Sequence, residues 1–219
     1  MRKVRTQTQL QDFLDTELGW RIKEIADMKS AVRNARFLSE RTIIRAAVAL
    51  LYGHWEGFVK NATTGYLSYV ENQGLTYAEL HTCFVVFGLK KVLNELAESR
   101  KAAGNIAAVD FLREQLGERA QLKIDRAINT EANLSSQVLA NILLSVGIDT
   151  SPYESRYHLI DERLLKRRNN IAHGEFLEVS PDEWSNLADE ILLMLRHLKT
   201  DLENASVLAT FKKEAVELH

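Results

Sequence analysis

The sequence of 219 residues predicts an all-α protein built as a bundle of amphipathic helices. Apolar residues recur at helical spacing in three long segments, as they do in helices that bury one face. Only two prolines occur, and each stands where a helix would begin rather than inside one. No stretch shows sustained alternation of apolar and polar residues, so a sheet is not expected.

The first half of the chain carries two of the apolar stripes, over residues 14–32 and 44–66. Thr76 precedes Glu79 by three residues, which is the spacing of a capping box and predicts a weaker helix start. Residues 85–87 could form a short strand, but their flanks are helix formers. We therefore predict a helix there as well.

The middle of the chain, from residue 100 to 133, is more polar than the rest. Gly104 and Gly117 predict breaks, so we expect shorter helices or an insertion packed on the main bundle. Since no linker rich in Gly, Ser or Pro and no repeat occurs, the simplest organisation is one domain over residues 1–219.

The two prolines predict two helix starts in the second half. Ser151 and Ser180 are each followed by Pro, and each has Glu three residues later. A Ser cap, Pro at the first helical position and Glu at the third are typical of a helix N-terminus. The second start opens a third apolar stripe over residues 184–202, so the long helices are expected within 1–72 and 134–205.

Composition and charge restrict the function. The 46% hydrophobic and 26% charged fractions are typical of a soluble globular protein. A net charge of -2 argues against non-specific coating of nucleic acid, so any polyanion site has to be local. Cys83 is the only cysteine, which excludes an internal disulfide and a thiolate zinc site within one chain. Without a signal peptide or a membrane span, we expect a cytoplasmic protein with no membrane partner.

The segment from residue 157 to 175 contains the strongest candidates for chemistry. Its apolar face includes Leu164 and Ile171, and Arg168 falls between them at helical spacing. A permanent cation there is costly unless an anion, a network or an interface compensates it. Residues 156–173 carry five Arg or Lys against two acids, and this local excess of three positive charges suits a site that cleaves a phosphodiester.

His173 ends this segment, five residues after Arg168. Five residues turn an ideal helix by about 140°, so the two side chains do not lie side by side on one regular helix. Gly174 is a typical C-terminal stop, where the last turn can unwind and redirect the imidazole. A two-fold dimer can also bring the groups of both chains around one cleft.

The segment 168–173, Arg-Asn-Asn-Ile-Ala-His, resembles the Arg-x4-His motif of the HEPN superfamily, in which a polar residue, often Asn, follows the Arg. Residues 50–60 are similar to the long second helix of a bacterial HEPN-like branch linked to defence and toxin systems. The resemblance covers most of the chain, and least securely residues 75–130. It implies an up-and-down helical bundle with additional helices that forms a two-fold homodimer.

The resemblance further implies an endoribonuclease that needs no metal or other cofactor. In this chemistry the ribose 2′-hydroxyl attacks the adjacent phosphorus and a 2′,3′-cyclic phosphate remains, so DNA should be inert. His173 would act as general acid or base and Arg168 would hold the phosphate. Asn169 would orient a partner or bind the substrate, and Arg167 would help to position phosphate.

Structural interpretations remain for the central residues. Arg168 could pair with Glu175 or Asp161, and His173 could be no more than a favourable cation at a helix C-terminus. Arg167 could belong to a solvated basic face.

Two residues of the earlier helix also keep two interpretations. HEPN proteins often place a polar residue of that helix in or near the cleft, and Glu56 or His54 could serve. Glu56 could equally form an ordinary surface pair with Lys60, four residues on.

The leading hypothesis is a HEPN ribonuclease of a toxin-antitoxin or anti-phage system that acts on RNA and is restrained by an antitoxin or another regulatory protein. The main rival is a non-catalytic helical adaptor whose cleft binds a nucleotide or a partner protein. RNA cleavage separates the two hypotheses.

Overall fold

The computed structural model describes residues 3–98, 102–122, 124 and 128–213. Two isolated bridges occur in these ranges, and neither extends into a strand. The prediction of an all-α fold is confirmed. The described ranges contain eight α-helices: α1 (Gln7–Arg33), α2 (Phe37–Asn72), α3 (Thr82–Glu98), α4 (Ala102–Asp110), α5 (Ser136–Ser145), α6 (Ser151–Glu154), α7 (Lys166–Ala172) and α8 (Pro181–Val207).

The three longest helices, α1, α2 and α8, pack against one another and enclose the core. The apolar stripes predicted on α2 and α8 are buried along their whole length, and the stripe on α1 is buried apart from a partly exposed Met28. Each fully buried side chain of Leu, Ile or Phe size contributes about 1.5–3 kcal/mol to folding. Among the described helices, none combines the length and the apolar character of a bilayer span.

The predicted helix starts have different outcomes. Ser180 forms a complete capping box with Glu183, as predicted. Ser151 does not cap a helix, because Thr150 occupies that position and the helix ends after one turn. The Ser151 hydroxyl donates instead to the carboxylate of Asp149, at 2.6 Å.

The other predicted boundaries were partly wrong. Thr76 and Glu79 do pair, but they cap a three-residue 3-10 turn, and α3 begins only at Thr82. Gly104 lies inside α4 rather than at a break. Gly117 is in a turn, where a break was predicted. Residues 85–87 are helical, as predicted.

Described residues between α4 and α5 contact α2. After α4 the chain forms a π-helical turn, Phe111–Gln115, and the described residues from there to α5 form no further helix. Residues 99–101, 123 and 125–127, which fall in or beside the predicted insertion, lie outside the described residues. Near the end of the segment, the N–H of Leu134 donates to the hydroxyl of Tyr52 on α2, at 2.7 Å. This contact places the preceding residue, Asn133, beside α7.

Candidate active site

The candidate motif lies on α7, at the end of a helical stretch that begins with a π-helical segment, Leu159–Leu165. The wide turn is closed by the N–H of Lys166, which donates to the carbonyl of Asp161 five residues back. Ile160 and Leu164 are fully buried and anchor the stretch against the bundle. Arg168, one helical turn after Leu164, therefore comes to lie at the edge of the core.

The guanidinium of Arg168 forms its hydrogen bonds and its stacking contact with neutral groups. Its Nη1 donates to Oδ1 of Asn133 and to Oδ1 of Asn169, both at 2.7 Å. Its Cζ lies 4.3 Å from the centroid of the Tyr52 ring, which is cation–π geometry. These contacts fix the position of the guanidinium without cancelling its charge.

The two carboxylates considered as partners of Arg168 are engaged elsewhere. Asp161 accepts the backbone N–H of Ser136 at 2.8 Å and its hydroxyl at 2.5 Å, so it binds the start of α5. Glu175 accepts the Asn170 amide at 3.2 Å, in the amide orientation that satisfies both neighbours. Within the described part of the chain, Arg168 forms no ion pair.

Glu56 lies next to the same aromatic ring. Burial raises the pKa of the Tyr52 hydroxyl, and the N–H of Leu134 that donates to this hydroxyl opposes the rise. The charge of Glu56 raises the same pKa and the charge of Arg168 lowers it. The ion pairs of the described residues do not include Glu56 with Lys60. Glu56 thus belongs to the surroundings of Tyr52 and Arg168 rather than to a surface pair.

His54 faces a different helix. Two residues along a helix correspond to a rotation of about 200°, so His54 and Glu56 point in nearly opposite directions. The His54 Nε2 lies 2.9 Å from Oε2 of Glu24 on α1, and its ring meets the edge of Trp20. The alternative in which His54 joins a cleft with Arg168 is therefore not supported.

Most of the predicted basic excess is neutralised. Arg167 points away from Arg168 toward the N-terminus of α8, where it binds the capping carboxylate and ties α7 to α8. Three of the five cations have acidic partners: Arg156 with Glu190, Lys166 with Glu162 at 2.6 Å, and Arg167 with Glu183 at 3.0 Å. Arg163 and Arg168 are the two cations of this run for which the described residues provide no acidic partner.

His173 is exposed at the C-terminal end of α7. Its backbone N–H keeps the α-helical hydrogen bond to the carbonyl of Asn169, at 2.9 Å. The last turn, which could have unwound before Gly174, therefore stays helical. Gly174, with a φ of +75°, then ends the helix. Its N–H donates to Ile171 at 3.1 Å and the N–H of Glu175 donates to Asn170 at 2.8 Å, which together form a Schellman motif.

The structure thus brings some of the candidate residues together and separates others. Arg168 and Glu56 lie beside Tyr52, and Asn169 accepts a hydrogen bond from Arg168. His173 leaves α7 about 140° around the axis and about 7.5 Å along it from Arg168. Within one chain, α7 therefore directs the guanidinium toward α2 and the imidazole toward solvent.

The sequence alone did not identify three residues near α7. Tyr52 falls within residues 50–60 without a predicted role of its own, Asn133 comes from an irregular segment, and Arg45 carries no prediction. Arg45 donates from Nη1 to the carbonyl of Glu175, at 2.7 Å, and so holds the turn after His173. The spacing of Arg45, Tyr52 and Glu56, a polar stripe at helical period beside the apolar one, is a signal that could have found two of the three.

Comparison with known proteins identifies one family. Residues 16–204 match the family model described as RiboL-PSP-HEPN. This range is most of the chain and includes every residue of the candidate site. No match is found among curated proteins or among solved structures.

Proposed function

The chain belongs to the RiboL-PSP-HEPN family, and from this membership and the surroundings of Arg168 we propose that it is an endoribonuclease. The family indicates a nuclease-type or RNA-related function in general. The proposed reaction needs no metal: the ribose 2′-hydroxyl attacks the adjacent phosphorus, the bond to the 5′-oxygen breaks, and a 2′,3′-cyclic phosphate remains. The observation that carries the proposal is a fixed guanidinium whose described hydrogen-bond and stacking partners are neutral.

Arg168 is suited to bind the phosphate that is attacked. Only Nη1 donates hydrogen bonds to described residues. A guanidinium has five N–H donors, so its other edge can reach two oxygens of a phosphate in fork geometry. Because the amides of Asn133 and Asn169 hold the group before substrate arrives, it stabilises the charge that develops on those oxygens without further reorganisation.

His173 is the proposed proton-transfer residue. An imidazole exchanges protons near neutral pH, which suits removal of the 2′-hydroxyl proton or protonation of the leaving 5′-oxygen. The exposed position of His173 at the end of α7 leaves its ring accessible to a substrate. Asn169 and Glu56 are proposed to keep Arg168 and Tyr52 in place, and Arg167 to hold α7 against α8.

We propose that two copies of the chain form the complete site. On one regular α7 the guanidinium and the imidazole point in different directions, so a single copy does not bring both groups to one phosphate. A two-fold axis near α7 would place the imidazole of one copy opposite the guanidinium of the other. Mixing Arg168→Ala chains with His173→Ala chains should then restore partial activity, whereas no recovery in verified mixed dimers would contradict a shared site.

We further propose that this nuclease acts in a toxin-antitoxin or anti-phage system in the cytoplasm, as one domain over residues 1–219. The support is the similarity of residues 50–60 to a defence-linked HEPN branch. A neighbouring gene whose purified product stops RNA cleavage would support this role. Cleavage that persists with each neighbouring product would contradict it.

The test of the proposed reaction is RNA cleavage by the purified chain in EDTA. The parent should cut RNA, and Arg168→Ala and His173→Ala should lose at least about a hundredfold in rate. Lys166→Ala is the matched control, because it removes a cation of the same helix whose charge Glu162 already balances. RNA that the parent leaves intact, or variants that cut like the parent, would favour the non-catalytic adaptor.

A further inference from the structure

Phe176, three residues after His173, is an aromatic side chain left largely in solvent. It is 71% exposed, although large apolar side chains in this protein are mostly buried. The guanidinium of Arg41 on α2 lies over its ring, with Cζ 5.1 Å from the centroid. Single exposed apolar residues are common on protein surfaces. Phe176, however, combines an aromatic face with an adjacent arginine, which are the two components of a surface that binds unpaired bases, and it lies close in sequence to His173.

The position of this ring relative to the site is fixed by the backbone. Three residues of chain span at most about 11 Å, so Phe176 stays close to the end of α7. The Schellman motif sets the direction of the turn, and Arg45 binds the carbonyl of Glu175, the residue directly before Phe176, at 2.7 Å. The ring is therefore presented from an anchored turn.

We infer that Phe176, backed by Arg41, stacks on an unpaired base of single-stranded RNA next to the phosphate at which His173 of the same copy acts. The inference rests on the proposed function, because it names the substrate class of that same site. Bases inside a duplex are already stacked and do not offer a face to a protein ring, so single strands, loops and bulges are the preferred substrates.

The charges around the ring favour a base rather than an extended run of phosphates. Arg41 is 3.6 Å from the exposed carboxylate of Glu178, and Glu175 is also exposed. The two acids balance Arg41 and Arg45, so this turn has little net charge. Stacking does not need net charge, since every base offers a π face, and an arginine behind the ring adds a cation–π contribution.

Binding of a strand that cannot be cut tests the inference separately from catalysis. The probe is a short single-stranded RNA in which every ribose is 2′-O-methylated, so that no attacking hydroxyl exists, with 2-aminopurine as one base. Stacking quenches the fluorescence of 2-aminopurine, and titration gives the Kd. The chains to compare are the parent, Phe176→Ala, Phe176→Leu, Phe176→Trp and the control Leu208→Ala, which removes another apolar side chain that is 73% exposed.

The parent should bind the probe and quench it. Phe176→Ala and Phe176→Leu should each raise the Kd about tenfold and lose the quenching, because Leu keeps the apolar volume but not the π face. Phe176→Trp and Leu208→Ala should bind like the parent. All five chains should have the same oligomeric state, measured by light scattering.

Two results would overturn the inference. One is a Phe176→Ala chain that binds and quenches the probe as the parent does. The other is a Phe176→Ala chain that changes from dimer to monomer, because the ring would then be a contact between copies. A parent that binds the probe through Phe176 but cuts no RNA would contradict the proposed function and leave this inference standing.

Discussion

Two arginines, one on α1 and one on α7, both lie beside α2 and have the same stacked geometry, but their electrostatic surroundings are opposite. Arg21 on α1 lies with Cζ 4.3 Å from the centroid of the Trp20 ring, and Arg168 on α7 lies with Cζ 4.3 Å from that of Tyr52. Arg21 is buried and donates to the carboxylate of Glu17 at 2.8 Å, whereas Arg168 donates to amide oxygens. The comparison shows that stacking only positions a guanidinium, and that the acceptor decides whether its charge remains available.

The Arg21 site is closed as well as neutral. The amide of Asn61 donates to the same carboxylate of Glu17, at 2.8 Å. Gly57 on α2 leaves room for the guanidinium, since a Cβ there would lie 3.1 Å from Nη2 of Arg21. Arg21 is thus expected to stabilise the fold, and Arg168 to act on a ligand.

The largest effect is expected from Arg168→Lys. Lysine keeps the charge but not the planar fork, so kcat/KM for RNA should fall about a hundred- to a thousandfold. The melting temperature should change little, because no carboxylate is left without its partner. A fall in melting temperature that matches the fall in activity would mean that Arg168 is structural like Arg21.

Arg21→Ala should show the reverse pattern. Breaking a buried pair costs about 3–5 kcal/mol. Because the Glu17 side chain is 18% exposed and keeps Asn61, we expect a smaller loss, about 2 kcal/mol in the free energy of unfolding measured with urea. The activity per folded molecule should equal that of the parent. A stable Arg21→Ala chain without activity would contradict the assignment of Arg21 to fold stability and of Arg168 to ligand binding.

Glu183→Gln tests the carboxylate that pairs with Arg167 at the α8 cap. The backbone N–H of Ser180 and then Arg167 hold the pKa of the Glu183 carboxyl below its usual range. The Glu183 carboxylate therefore stabilises the fold fully above the pKa that Glu has in the unfolded chain, about 4.3. This stabilisation is lost as pH falls through the lower pKa of the folded chain. The exposed variant should lose about 0.5–1 kcal/mol at neutral pH in urea unfolding, and no difference should remain in strong acid. A difference that persists in strong acid would contradict this account.

The smallest expected effect is at His54, beside Arg21. Burial lowers the pKa of His54, the charge of Glu24 opposes this, and the charge of Arg21 adds to it. Because the unfolded chain then binds a proton more readily, parent stability should fall as pH drops below about 6.5. His54→Gln should flatten this slope in unfolding measured between neutral and mildly acid pH. An unchanged slope would assign the acid sensitivity to other groups.

The fold was largely predictable because it depends on periodicity. The stripes of α1, α2 and α8 and the Ser180 capping box are local patterns, and local patterns determine where helices lie. Boundaries that depend on competing short contacts were missed. Asp149 binds the Ser151 hydroxyl and displaces the predicted cap by one residue.

The candidate site was predictable only in part. Arg168 stood out because a cation occupied an apolar face, and its lack of a described acidic partner agrees with that signal. Asn133, however, comes from an irregular segment and precedes Arg168 by 35 residues in the sequence. The net charge of the basic run could not be predicted either, because Glu183 and Glu190 reach it only after α8 folds back.

The most direct measurement uses a DNA strand that carries a single ribose, incubated with the chain in EDTA. If the 2′-hydroxyl is the nucleophile, the parent cuts only after that ribose and leaves a 2′,3′-cyclic phosphate, identified by mass, while Arg168→Ala and His173→Ala leave the strand intact. Cleavage at a deoxyribose, or cleavage by either variant at the parent rate, would contradict the proposed chemistry.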